Sequence, residues 1–273
     1  MGGMQKHPTG YPTDLNDEEW NTIKSLVPTP KSGQGRRGRP VKLDRRQLVN
    51  AIFYVVRSGG AWRLLPKDFG PWPTVYGYFR QWSQDWTWTF IHDTLRDWLR
   101  KSEGRQVAPT AAIIDSQSVK TPDQAGERGY DAGKKIWGRK RHIAVDVLGL
   151  LLTVMVTSAA VQDRQAARKL IGTLLDTFKR LQIIWADGGY LGALVRWVKQ
   201  LRPFGKLRLE IVRRCDRLKG FTVLPRRWVV ERTFGWFCKS RRLGRDYEVR
   251  LDHSEAMIRL CMIRLMVKRL SAI

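Results

Sequence analysis

Apolar positions recur every three or four residues in the first hundred residues and run in short continuous blocks after that, so the pattern predicts a helical first part and a mixed second part. LNDEEWNTIKSLV sets Trp20, Ile23 and Val27 at helical spacing behind Asn16 or Asp17 as a cap, which predicts a short first helix. DRRQLVNAIFYVVRSGG places Leu48, Ile52, Val55 and Val56 on one face and ends at Gly59-Gly60. After a tight WRLLPKDFGPWP turn, TVYGYFRQWSQDWTWTFIHDTLRDWLRKS resumes as helix. Two helices split by a turn fit a helix-turn-helix with an unusually long turn. The competing reading is a small bundle whose Trp62, Trp72, Trp82 and Trp98 are core.

Polar residues from Ser102 to Pro109 suit a domain boundary. Beyond it APTAAIID reads as a strand, KRHIAVDVLG and LLLTVMVTSAA as a hairpin turning at Leu148-Gly149, and RQAARKLIGTLLDTFKR as an amphipathic helix. LQIIWAD and LRLEIVRR are further strands, with the helix LGALVRWVKQL between them. RRWVVERTFGWFCKSRRL and SEAMIRLCMIRLMVKRL close the chain as helices. The order β-β-β-α-β-α-β-α predicts an α/β domain over residues 106–273, a mixed sheet with helices on both faces. Residues 1–105 form the helical domain, with an irregular basic arm over about 29–43.

Lys and Arg total 50 against 25 Asp and Glu, a formal net charge of +25. An excess of this size implies a polyanionic partner, because each phosphate neutralised releases condensed counterions. The 42% hydrophobic content and 12 Trp exclude a disordered basic tail. Three cysteines without metal-site spacing argue against a disulfide framework or structural zinc. The absence of a secretory pattern at MGGMQKHPTGYPTDL, and the shortness of the apolar stretch Val147 to Val161, lead us to expect a cytoplasmic protein. In the arm, Arg36, Arg37 and Arg39 form the kind of Arg-Gly-Arg-Pro segment that lies in a narrow A·T minor groove, and Arg45 and Arg46 follow at the start of the next helix.

Three acids carry the candidate chemistry. Asp115 and Asp187 each close an apolar run read as a strand, and Glu231 sits among helix formers. Divalent ions such as Mg²⁺ prefer carboxylate oxygens, and two ions on three acids can activate one oxygen and stabilise another in phosphoryl transfer. His142 and Asp146 read as structural neighbours of such a site, Asp163 as a helix N-cap, and Cys238 and Cys261 as buried thiols. Trp236 is either core or a stacking platform for a base. The basic runs Lys134 to Arg141, with Arg139 and Lys140, and Arg213 to Arg227 suggest a channel for DNA.

IIDSQSVK around Asp115, ADGGY around Asp187 and RWVVERTFGW around Glu231 resemble the signature blocks of bacterial insertion-sequence transposases, and more narrowly the insertion sequence five family of DDE transposases. The resemblance extends over AIFYVVRSGGAWRLLPKDFGPWPTVYGYFRQW and GRKRHIAVDVLGLLLTV, most of the chain. It implies a ribonuclease-H-like catalytic domain in which Asp115, Asp187 and Glu231 bind two Mg²⁺ or Mn²⁺ ions. It also implies double-stranded DNA as partner, both the element's inverted repeats and the target, worked on by a homodimer or higher homo-oligomer. The family's third block is commonly Tyr-x2-Arg-x3-Glu-x6-Lys; this chain keeps Arg227 and Glu231 but has Leu224 and Cys238 at the outer positions. Lys239 lies about 100° further round a helix, and Arg241 or Arg242 is the expected substitute for phosphate contact. A non-catalytic DNA-binding derivative and a junction-resolving nuclease are the competing functions.

Overall fold

The computed structural model describes residues 10–29, 43–123, 126–201, 207–212 and 227–273. Arg36, Arg37 and Arg39 of the arm, Cys215 and Leu224 lie outside the described residues, as does most of the run Arg213 to Arg227. Two compact units divide the chain: Met1–Ser102, Ser240–Leu243 and Ala256–Ile273 form the first, and Glu103–Lys239 with Gly244–Glu255 form the second. Two late segments, Ser240–Leu243 and Ala256–Ile273, thus belong to the first unit.

In the first unit, α1 (Asp17–Ile23) opens with a capping box in which Asn16 and Glu19 satisfy each other's backbone N–H groups. α2 (Arg45–Ser58) starts where the Asp44 carboxylate accepts from the N–H groups of Arg46 and Gln47, and it stops at Gly59, whose φ of 77° is cheap for glycine. Two single 3₁₀ turns follow, Trp62–Leu64 and Lys67–Phe69, then α3 (Trp72–Gln84) and α4 (Thr87–Ser102).

The long helix expected after Pro73 is therefore two helices. Asp85 Oδ1 accepts from both the N–H and the hydroxyl of Thr87 and starts a new helix, while Trp86 takes up a left-handed φ of 64°. The break lets Trp82 and Trp88 meet edge to face at 5.1 Å in the core. Trp62 and Trp82 are buried as the bundle reading expects, but Trp98 is exposed. The later part of α8 (Leu251–Leu270) completes this unit: Met257, Ile258, Leu260, Met262, Ile263, Met266 and Val267 are all buried, and Arg264 pairs with Glu19 at 2.6 Å.

The second unit is built on one mixed sheet of β1 (Ala111–Lys120), β2 (Gly129–Asp131), β3 (Ile136–Val145), β4 (Leu151–Ser158), β5 (Ile183–Ala186) and β6 (Arg208–Ile211). The order is β2-β3-β1-β5-β6, with β4 also paired to β3. β1 runs antiparallel to β3 and parallel to β5, and β6 runs parallel to β5. An antiparallel meander of β1, β3 and β4, whose first strand then gains β5 and beyond it β6 as parallel strands through helical crossovers, is the ribonuclease-H-like arrangement. α5 (Asp163–Thr177) and α6 (Ala193–Leu201) cover one face, where Ala112, Ile114, Ala144, Ile184 and Ala186 pack with Leu170, Ile171, Leu174, Leu194 and Val198. Each Leu, Ile or Val side chain among them contributes about 1.5–3 kcal/mol when fully buried. α7 (Trp228–Cys238) packs against β1 and β3 outside that core. Among the described residues, no helix is long and apolar enough to cross a membrane.

Candidate active site

The expected strand stops at Asp115, yet β1 continues to Lys120, so Asp115 sits in mid-strand. Side chains alternate along a strand, and Ala112 and Ile114 enter the α5–α6 core; Ile113 and Asp115 therefore point to the other face, where α7 lies. The parallel ladder pairs Ala111 with Ile183 and Ile113 with Trp185. The same register continued by two residues sets Asp115 beside Asp187, just past the end of β5. Asp187 is fixed there by its own turn: Oδ1 accepts from Gly189 N–H at 2.9 Å, and a Cβ on Gly189 would stand 3.1 Å from that oxygen.

Glu231, half exposed on the first turns of α7, is brought in by a clamp between that helix and the β3–β4 turn. Asp146 braces the turn by accepting from the N–H groups of Leu148 and Leu150. Thr233 donates its hydroxyl to the Gly149 carbonyl at 2.9 Å, and Arg232 donates to the Leu148 carbonyl at 2.8 Å. The Arg232 guanidinium lies 4.5 Å from the Trp228 ring and 4.9 Å from that of Trp236, its neighbours one turn before and after. Trp236 is thereby committed to the fold.

Arg227 joins the acids. Its guanidinium lies 3.7 Å from Asp187 Oδ2 and 3.5 Å from Glu231 Oε1. Burial pushes the Asp115 carboxyl up to about 6; the neighbouring Asp187 charge adds to the rise, while the Ser116 N–H, Arg227 and Lys134 oppose it. Among the described residues, no three His, Cys, Asp or Glu side chains already form a metal cage. The donor set is nonetheless the one a hard divalent ion takes, all carboxylate oxygen, with a cationic group already between two of its members.

Behind β1, on the core side, lies a polar network that the sequence reading missed. Lys140 Nζ lies 3.3 Å from Asp131, 3.2 Å from Asp163 and 3.0 Å from the Val161 carbonyl. Ser116 donates to Asp163 at 2.9 Å and Ser118 donates to Asp131 at 2.6 Å. Burial works to raise the Asp131 carboxyl, but the Ser118 hydroxyl, the Lys134 N–H and the Lys140 ammonium hold it at about 2. Ser116 and Ser118, which continue at two-residue spacing the face that Ala112 and Ile114 turn to the core, were the available signal. Asp163 is the first helical residue, after Gln162 as cap, and its side chain serves this network rather than capping α5. His142 is buried, shares a hydrogen bond with Thr157 Oγ1, and is lowered to about 4 by burial, partly offset by Asp163.

The basic residues expected on DNA divide sharply. Arg139 is fully buried and donates to the carbonyls of Glu127, Glu248 and Val249, to Ser254 and to Asp246. Lys140 is equally inward, and Arg242 is buried and donates to the Gly60 carbonyl within the first unit. Arg45 donates to the Val27 carbonyl, and Arg46 to Asp17 and the Leu15 carbonyl, tying α2 to the segment around α1. Burial and inward hydrogen bonds turn Arg139, Lys140 and Arg242 into structural ties, which corrects the DNA-facing expectation for these three. Lys239 and Arg241 are exposed. Cys261 is buried as expected, but Cys238 is exposed.

Comparison with known proteins bears on this geometry. A family model described as "Transposase DDE domain" matches residues 107–267, and one described as a putative transposase of the IS4/5 family matches residues 15–103. A putative transposase for insertion sequence element IS402 of Burkholderia cepacia is 32% identical over 160 residues, covering 55% of this chain and 72% of the relative. An uncharacterized 16.2 kDa protein of the same element is 28% identical over 134 residues, 48% of this chain and 84% of the relative. Among solved structures, the Mos1 strand transfer complex aligns over 74% of this chain and 68% of its own with 10% identity and a TM-score of 0.24. At that score the likeness adds nothing to what the strand order already says.

Proposed function

The chain belongs to the DDE transposase family, and we propose that Asp115, Asp187 and Glu231 are its catalytic carboxylates, acting on double-stranded DNA with two Mg²⁺ or Mn²⁺ ions bound between them. The observation that supports this most is the juxtaposition itself: Asp187, just past the end of β5, continues the parallel register that leads to Asp115 on β1, and Arg227 lies between Asp187 and Glu231. Bound ions would supply Lewis-acid polarisation of the phosphate and a more acidic attacking oxygen.

The chain's own residues hold the rest of the site in place. β1 is pinned from behind by Ser116 and Asp163, and α7 is pinned to the β3–β4 turn, which limits how far the elements carrying the carboxylates must move to hold metal and phosphate. Arg227 offsets the repulsion among the acids and is free to turn toward a phosphate once other positive charge enters. Lys239 and Arg241 are the exposed cations after α7 that we assign to the DNA backbone, together with Arg36, Arg37 and Arg39 of the arm on the inverted repeats. Cutting frees a 3′-hydroxyl, which then attacks target DNA, with a homo-oligomer holding two ends.

The test is nicking of a duplex carrying the ends of the element that encodes the chain, with Mg²⁺ or Mn²⁺ added. Strand-specific cleavage at the element's end is expected. Tight, specific binding to those ends without cleavage in either metal would favour the non-catalytic reading, for which the exposed Cys238 at the usual lysine position is the motive.

A further inference from the structure

β2 and β3 form a hairpin that stands apart from the acids in chemistry. Tyr130 and Trp137 face each other across its ladder, with ring centroids 6.3 Å apart and planes tilted by 31°. Both are exposed, at 48% and 53%, although the same chain buries Trp62, Trp82 and Trp88 almost completely. The tip, Ala132-Gly133-Lys134-Lys135, adds two exposed lysines, and Lys135 takes a left-handed φ of 53°.

The hairpin is firmly anchored. Asp131 turns inward to accept from Ser118 and from Lys134 N–H beside Lys140, so the one acid of the hairpin leaves the surface cationic. Gly138 approaches β1 so closely that a Cβ would stand 2.0 Å from the Val119 carbonyl. Lys134 Nζ donates to the Ser116 carbonyl at 3.1 Å, on the residue next to Asp115. A rigid element thus reaches the strand that carries Asp115 while presenting two rings and an ammonium group to solvent.

Ring faces stack on nucleobases irrespective of sequence, and ammonium groups pair with phosphates. Bases in an intact duplex are already stacked on one another, so free ring faces select unpaired ones. We propose that Tyr130, Trp137 and Lys135 form a binding surface for an unpaired DNA strand next to the cutting site. The proposal rests on the reading of Asp115, Asp187 and Glu231 as a DNA-processing centre, and names the form of DNA that this centre holds.

Fluorescence anisotropy of the full chain, without divalent metal, on a blunt duplex and on the same duplex with a single-stranded tail tests it. The wild-type chain is expected to prefer the tailed duplex, Trp137→Ala and Tyr130→Ala each to reduce that preference about tenfold, and Trp137→Phe to retain most of it. Lys135→Ala is expected to flatten the salt dependence of tailed-DNA binding. Equal wild-type affinity for the two duplexes overturns the proposal, as does an unchanged preference in Trp137→Ala. So does a Trp137→Ala chain whose preference is intact but whose sedimentation shows a lost self-association, which would assign the rings to a second copy. A tail preference that depends on Trp137 in a chain unable to nick DNA with metal would instead sink the catalytic reading and leave this surface standing.

Discussion

The guanidinium of Arg227 lies 3.5 Å from the carboxylate of Glu231 one helical turn further on, yet among the described residues its buried Nε makes no hydrogen bond. The attraction is therefore electrostatic and loosely held, as suits a counter-ion that must give way. A unit charge about 4 Å from another in water-like surroundings is worth about 1 kcal/mol, or about fivefold in affinity. Arg227→Gln is expected to bind Mn²⁺ about fivefold more tightly than the wild-type chain in the absence of DNA, measured by electron paramagnetic resonance, while nicking falls. Unchanged or weaker Mn²⁺ binding would show that Arg227 does not compete for the acids.

Asp115 sets the pH dependence of the metal-free site. Its carboxyl stands at about 6, raised by burial and by Asp187, so below that pH a metal must displace a proton. Mn²⁺ affinity is expected to be flat above pH 6 and to fall about tenfold per unit below it. The same shift acts on folding with a definite sign: a raised folded-state pKa favours the fold at acid pH, and that contribution is lost as pH rises from the unfolded value through about 6. Metal-free Asp115→Asn is accordingly expected to exceed the wild-type chain in stability above pH 7, by about 1–2 kcal/mol after screening, as read by urea denaturation.

Gly149 is where the clamp on α7 is most exposed to attack. Its φ is 80°, and a Cβ there would stand 2.9 Å from Thr233 Oγ1 and 3.0 Å from the Trp236 ring. Gly149→Ala is expected to cost about 1–3 kcal/mol of stability, with a further loss of nicking at temperatures where the chain remains folded, because α7 carries Glu231. Thr233→Val, which keeps the volume and removes the hydroxyl, should reproduce the activity loss at a smaller stability cost.

His142 supplies a second, opposite pH signature. Burial lowers it to about 4, so the folded chain holds it neutral while the unfolded chain protonates it. Its contribution is present above pH 6.5 and is lost as pH falls through about 4. His142→Asn is expected to flatten the decline of stability between those values by about one proton's worth, measured as urea midpoints across the range.

The acids were legible because a continuous apolar run ending in a carboxylate reads as a buried strand reaching an edge, and IIWAD does so at Asp187. AAIID stops short at Asp115 because Ser116 and Ser118 look like the start of a loop; their partners Asp163 and Asp131 arrive from distant segments that strand periodicity cannot show. The break between α3 and α4 carries no Gly or Pro to announce it. The later part of α8 buries apolar residues on every side with Arg259, Arg264, Lys268 and Arg269 scattered among them, so no stripe revealed which unit it would complete. Charge was the least legible quantity: Arg139 and Lys140 count toward a basic surface by composition, whereas the fold spends both on interior carbonyls and carboxylates.

The central claim, that Asp115, Asp187 and Glu231 form one catalytic centre, is tested most directly by metal-dependent nicking of element-end DNA with Asp115→Asn, Asp187→Asn and Glu231→Gln measured singly beside the wild-type chain. Each is expected to lose cleavage by at least about a hundredfold while keeping its circular dichroism and its affinity for the DNA. Wild-type rates in any one of the three, in a chain that still requires Mg²⁺ or Mn²⁺, would contradict the assignment of that acid and with it the single centre.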